Sequence, residues 1–121
     1  MMKSIAPWQG SWAVMSYRSG DEMLTPENDS EASLTIDGTL VSGSMGVNRF
    51  SGQIGAEFSI GPVATTRMAG PPELMLQEDT ILEHVQEADT IEVIEDGMNL
   101  RRDGLLLVEL ERKRTAPTDR S

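Results

Sequence analysis

VSGSMGVNRFSGQIG, residues 41–55, places glycines at 43, 46, 52 and 55 around a single Asn-Arg-Phe at 48–50. A helix does not accept that density of glycine. Two bent strands joined by a shaped turn do, because glycine adopts positive φ and lets another backbone approach closely. Val47, Phe50 and Ile54 supply the apolar side chains of those strands. Asn48 tolerates the left-handed region and can hydrogen-bond its own backbone, which makes it the expected pivot. The stretch carries fold information rather than chemistry, so Gly43, Gly46 and Gly52 are read as structural.

Upstream, Trp12, Val14 and Ser16 alternate with Ala13, Met15 and Tyr17 as in a first strand. Ser19 to Ser30, SGDEMLTPENDS, is acidic and turn-rich and contains Pro26, so it is expected to be an exposed loop. Leu34 and Ile36 lead into Asp37-Gly38, and Leu40 and Val41 lead out, a hairpin signal suited to a type I′ turn.

Downstream, Phe58 and Ile60 alternate with Glu57 and Ser59 as a strand, and Val63 to Met68 is β-branched enough to be another. Pro71 and Pro72 stop the sheet. Pro72 and Glu73 suit a helix first turn, and Leu74, Ile81, Leu82, Val85 and Ala88 form a stripe at helical spacing, so one helix is expected over residues 72–88. The remainder reads as a meander: a strand over 90–95, an Asp96-Gly97 turn, a strand over 98–102, an Asp103-Gly104 turn, and a last strand over 105–112 with Leu106, Val108 and Leu110 on one face. The fold class is therefore mainly β (α+β): a strongly curved, antiparallel, barrel-like sheet of about seven to eight strands with one packed helix.

At 121 residues the chain suits one domain with one core. Residues 1–7 are read as a flexible N-terminus, 8–112 as the domain, and 113–121 as a disordered tail with nothing to bury. There is no cysteine, which excludes disulfides, thiolate metal sites and a cysteine nucleophile. No signal-peptide-length apolar run precedes Trp8 and no stretch has membrane-spanning length, so the chain as written is expected to be cytoplasmic, or in the envelope if a leader was removed.

The net charge of -10 is uneven: residues 1–100 carry 4 Lys or Arg against 16 Asp or Glu, and residues 101–121 carry 6 against 4. Such a body repels phosphate, and the basic cluster Arg112, Lys113 and Arg114 has no interleaved aromatics, so nucleic acid is not an expected partner. The acidity solubilises the surface and also admits a basic protein partner. A monomer is expected.

Trp12 and Tyr17, then SGSMGVNRFSG at 42–52, TTRMAGPPELMLQE at 65–78, an acidic helix and IEDGMNL together resemble the META domain, also called the heat-shock protein HslJ family. The resemblance spans Trp8 to Arg112. It implies a compact curved antiparallel sheet with a helix at one side, in bacterial stress-associated proteins and envelope lipoproteins, with no established enzymatic activity, metal or cofactor. Where the family usually reads Gly-Cys-Asn this chain has Gly46-Val47-Asn48, and where it reads Met-Ala-Cys this chain has Met68-Ala69-Gly70. Loss of both cysteines together implies that Val47 and Gly70 are neighbours in space.

No catalytic set is expected. His84 is the single histidine and lacks the partners that a zinc site or a serine triad needs, and no nucleophile-elbow motif is present. The carboxylate pairs Glu78 with Asp79 and Asp21 with Glu22 read as solvated surface rather than as acid and base. Asn48, Arg49 and Arg67 are the candidates for binding an anion, against turn formation by Asn48 and salt bridging by the arginines. Trp8 and Trp12 read as core and as plugs at the end of the barrel.

Glu78 falls on the apolar stripe, four residues after Leu74, so its carboxylate must be hydrogen-bonded. Thr65, Thr66, Arg49, Arg67 and the N–H groups of the glycine turn are the available donors. Thr66 and Glu78 are accordingly read as structural. Two functions follow: a non-enzymatic binding or interaction protein associated with stress or antibiotic tolerance, as the resemblance implies, or a carrier holding a small apolar molecule in the mouth of the sheet. A filled interior would favour the first.

Overall fold

The computed structural model of the chain describes residues 8–27, 32–55, 60 and 63–113. Nine strands and one helix follow in order among them: β1 (Gly10–Ser19), β2 (Glu22–Leu24), β3 (Ser33–Asp37), β4 (Leu40–Ser44), β5 (Arg49–Gln53), β6 (Ala64–Thr65), α1 (Pro72–Glu87), β7 (Thr90–Ile94), β8 (Gly97–Arg102) and β9 (Leu105–Arg112). All pair antiparallel in one curved sheet of order β6-β5-β4-β3-β1-β9-β8-β7, with β2 added beside β1. The sheet does not close, because β6 and β7 end the path without pairing to each other. Strand β1 lies at its centre, so the two ends of the domain are zipped together through β1 and β9.

The inner face is the core. Leu34 and Ile36 of β3, Val41 of β4, Phe50 of β5, Met98 and Leu100 of β8, and Val108 and Leu110 of β9 alternate inward and meet Ile81, Leu82 and Val85 of α1. Trp12 is fully buried, its indole N–H donates to Trp8 O at 2.9 Å, and the Arg112 guanidinium lies 4.3 Å from its ring centroid. Helix α1 begins with Leu74 N and Met75 N both donating to Pro71 O at 3.0 Å.

Several local expectations are corrected. The connector after Ser19 is not all loop: Gly20, at φ 64, turns the chain so that β2 pairs back on β1. Ser16 does not follow Trp12 and Val14 inward, because a bulge between Val14 and Ser16 shifts the pattern and buries Tyr17 instead. A second bulge at Leu107 breaks the alternation of Leu106, Val108 and Leu110, since Leu100 faces Val108 while Arg101 faces Leu106. The Val63–Met68 strand shrinks to Ala64–Thr65. Beyond it the Met68 N–H turns to the Asn48 side chain instead of a neighbouring strand. The strand expected over residues 57–60 falls mostly outside the described residues, although Ile60 bridges to Ile54.

The turns also differ. Asp37 pairs with Leu40, so the loop residues are Gly38 and Thr39, and only Gly38 has positive φ, the pattern of a type II′ rather than a type I′ turn. Ile94 pairs with Gly97, so the next turn is Glu95-Asp96 and Gly97 belongs to the strand. Asp103 and Gly104, at φ 52 and 81, form the type I′ turn expected of them.

Candidate functional site

One hydrogen-bonded knot joins the glycine stretch, the connection leading to the helix, and the helix itself. Glu78 is 4% exposed and Asn48 6%. Glu78 Oε1 accepts from Val47 N at 2.8 Å and Asn48 N at 2.5 Å, while Oε2 accepts from Asn48 Nδ2 at 2.9 Å. Asn48 Nδ2 also donates to Met68 O at 3.3 Å, and its Oδ1 accepts from Thr66 Oγ1 at 2.9 Å and Met68 N at 2.6 Å. That is the full capacity of an amide side chain. Thr66 completes the circuit by accepting from Arg49 N at 3.0 Å.

The local sequence explains why these groups converge. A Cβ at Gly46 would stand 2.6 Å from Leu74 O, so only glycine lets the turn touch the first turn of α1. A Cβ at Gly43 would run into Ser33 O and lie 2.8 Å from Leu34 Cα, where β3 and β4 approach closely. Gly52 pairs with Val41 in the β4–β5 ladder. Gln77, which sequence reasoning missed, braces the same end of the helix. Its amide donates to Met45 O at 2.9 Å and accepts from Glu27 N at 2.8 Å. Its signal was present: it lies three residues after Leu74 and four before Ile81, beside Glu78 on the apolar stripe.

The three residues singled out for anion binding do not converge. Asn48 is inside the knot, whereas Arg49 and Arg67 are exposed, and Arg49 edges a shallow groove with Ser33, Ser42 and Ser44. His84 Nε2 lies 2.8 Å from Arg18 O and its Nδ1 lies 3.5 Å from Glu87 Oε1. No group of three or more His, Cys, Asp or Glu among the described residues is arranged to hold a metal ion. None of the helices among them is long and apolar enough to cross a membrane.

Among the described residues, Tyr17 and Asp89 have displaced pKa values. Burial pushes the Tyr17 hydroxyl up, with the charge of Glu27 adding to it. Asp89 is held below the usual carboxylate value by the Asp103 N–H and then the Thr90 hydroxyl, with a smaller pull from Arg102. Chemically, the knot fixes backbone: both side-chain polar atoms of Asn48 and both carboxylate oxygens of Glu78 are engaged within it.

The META domain profile matches residues 4–114, which takes in every element of the sheet, the helix and the knot. The chain belongs to the META domain family. Its fold is shared with an NMR structure of a protein from Burkholderia xenovorans, at TM-score 0.74 and 20% identity over 95% of this chain and 97% of that one. A second NMR structure matches at TM-score 0.60 and 22% identity over 88% of this chain and 94% of the other. At these identities the likeness shows the fold alone. No curated protein matches the chain. Within this META domain the two motifs that carry the resemblance, SGSMGVNRFSG and TTRMAGPPELMLQE, are the two halves of the Asn48–Glu78 knot.

Proposed function

We propose that this META domain protein is a non-enzymatic binding protein that works through its outer surface, in bacterial stress or antibiotic tolerance. The observation that carries the reading is that Asn48, Thr66 and Glu78, three polar residues of the family motifs, are spent on one another and on backbone. A catalytic carboxylate or amide needs a face free for substrate. The interior adds support, since Trp12, Met45, Met98 and Ile81 are all fully buried and pack the core that a carrier of apolar molecules would have to keep open.

The test has two arms. Deletion of the gene followed by complementation should change survival under heat or antibiotic challenge, and Asn48→Ala should fail to complement only as far as it lowers the amount of folded protein. A hydrolase panel run on the pure protein should show no turnover. Turnover that disappears on a single Ser, Asp or His substitution would sink the reading.

A further inference from the structure

The outer face of β1, β9, β8 and β7 carries a trough of about 600 Å³. The ladder explains it. Ala13 pairs with Glu111, Glu111 with Gly97, and Gly97 with Ile94, so a row of side chains crossing four strands has nothing above the backbone at Gly97. Met15 and Ile94 flank the gap and are 45% and 59% exposed. Glu95, Asp96, Glu109 and Glu111 stand around it. The cation beside them, Arg112, is 3.9 Å from Asp96 and also lies over Trp12.

Two departures from regular geometry border this trough. The bulge in β1 falls at Met15, and bulges re-aim side chains. Glu95 has φ 56, a left-handed conformation that suits Gly, Asn or Asp and costs other residues on the order of 1 kcal/mol. Yet Gly97 is two residues away, in extended backbone. The Asp-Gly pair that sequence rules place in the turn is displaced by one, so the glycine opens the trough while a glutamate takes the strained position. The bulge also turns Tyr17 into the core, but the left-handed Glu95 is matched by no such gain, and strain of that kind is common where a surface is held for binding.

We propose that the trough over Gly97 docks a cationic amphipathic segment of another protein, in which an apolar side chain enters the gap between Met15 and Ile94 and flanking lysines or arginines face Glu95, Asp96, Glu109 and Glu111. The proposal rests on the interaction reading above and names its surface and partner chemistry. The apolar walls supply the anchor, and the carboxylates supply rate and orientation of approach. A chain of net charge -10 attracts any cation, so the apolar gap is what separates docking from general attraction.

Gly97 offers a direct test. A Cβ there meets nothing closer than Ile94 O at 3.5 Å, and its φ is not positive, so Gly97→Val fits the strand and fills the gap. Binding of a labelled peptide of alternating lysine and leucine is measured by fluorescence anisotropy against an all-lysine peptide of equal charge, at low and at physiological salt. Wild type should prefer the lysine-leucine peptide. Gly97→Val should weaken that peptide by about tenfold or more, with a melting temperature no lower than that of wild type and unchanged all-lysine binding. As a charge control, Asp21→Asn/Glu22→Gln, in the β1–β2 hairpin and not among the residues lining the trough, should alter both peptides equally.

Equal binding of the two peptides by wild type, or equal binding of the lysine-leucine peptide by wild type and Gly97→Val, overturns the proposal. Sedimentation showing a wild-type dimer that Gly97→Val abolishes also overturns it, since the occupant would be a second copy. Partners from host lysate held alike by wild type and Gly97→Val would reject the trough and leave the interaction reading standing. Retention of none by either would count against both.

Discussion

Val47 and Gly70 share one space. A Cβ at Gly70 would lie 3.4 Å from Val47 Cβ and 2.6 Å from Val47 Cγ2, so the valine isopropyl group occupies the volume that a side chain at 70 would need. Gly70→Ala is predicted to destabilise by about 1 to 3 kcal/mol through overpacking, and Val47→Ala in the same chain should recover most of that loss. The separation is also close to the roughly 3.5 to 4.5 Å between Cβ atoms of a disulfide. Val47→Cys/Gly70→Cys should therefore oxidise in air, read by mass spectrometry and thiol titration. Persistent free thiols in the folded double variant would refute the adjacency.

Glu78→Gln should lower stability by about 1 to 3 kcal/mol with no change of fold. Oε1 can be kept as the acceptor for the Val47 and Asn48 N–H groups, but Nε2 would then face Asn48 Nδ2, donor against donor. Urea denaturation checks it: the midpoint should fall with an unchanged slope. Gly46→Ala should cost at least as much, because its Cβ would meet Leu74 O, backbone that cannot swing aside.

Asp89 should titrate below the usual carboxylate value of 3.8 in the folded protein, because the Asp103 N–H and the Thr90 hydroxyl both donate to its charged form. A depressed folded pKa means that its share of stability is complete above the ordinary carboxylate range and is lost as pH falls through the folded value. Side-chain carbon shifts followed by NMR from neutral to acid pH give the midpoint directly. Thr90→Val should move that midpoint up toward the ordinary value.

The sheet and helix were legible because their signals are local. Period-two alternation marks β3, and an apolar stripe behind Pro72 and Glu73 marks α1 to within a residue of its observed end. What was not legible depends on partners distant in sequence. The bulges at Met15 and Leu107 are set by register against neighbouring strands, and no periodicity within either strand contains them. Glu78 was conspicuous as a charge on an apolar stripe. Its main donors, the N–H groups of Val47 and Asn48 and the Asn48 amide, were fixed only when Gly46 let the turn meet the helix. The trough over Gly97 was hidden by the strongest turn signal in that region, since Asp96-Gly97 in isolation does favour the loop.

That displaced turn puts a glutamate where glycine would fit without strain. Glu95 holds φ 56 with a side chain too long to satisfy the nearby backbone as asparagine or aspartate can. Asp96, next to it, accepts from Arg112 N at 2.7 Å, which ties the turn to the end of β9 and keeps Glu95 in that conformation. Glu95→Gly should therefore raise stability by about 1 kcal/mol, the relief of left-handed strain being partly offset by the extra freedom of glycine in the unfolded chain. Removing a carboxylate from the rim of the trough should at the same time weaken the lysine-leucine peptide, more at low than at physiological salt. The same substitution is thus expected to improve folding and impair docking, the opposite signs marking strain held for binding. Should Glu95→Gly leave the urea midpoint where it was or lower it, the glutamate is not strained there and the turn is not held for binding.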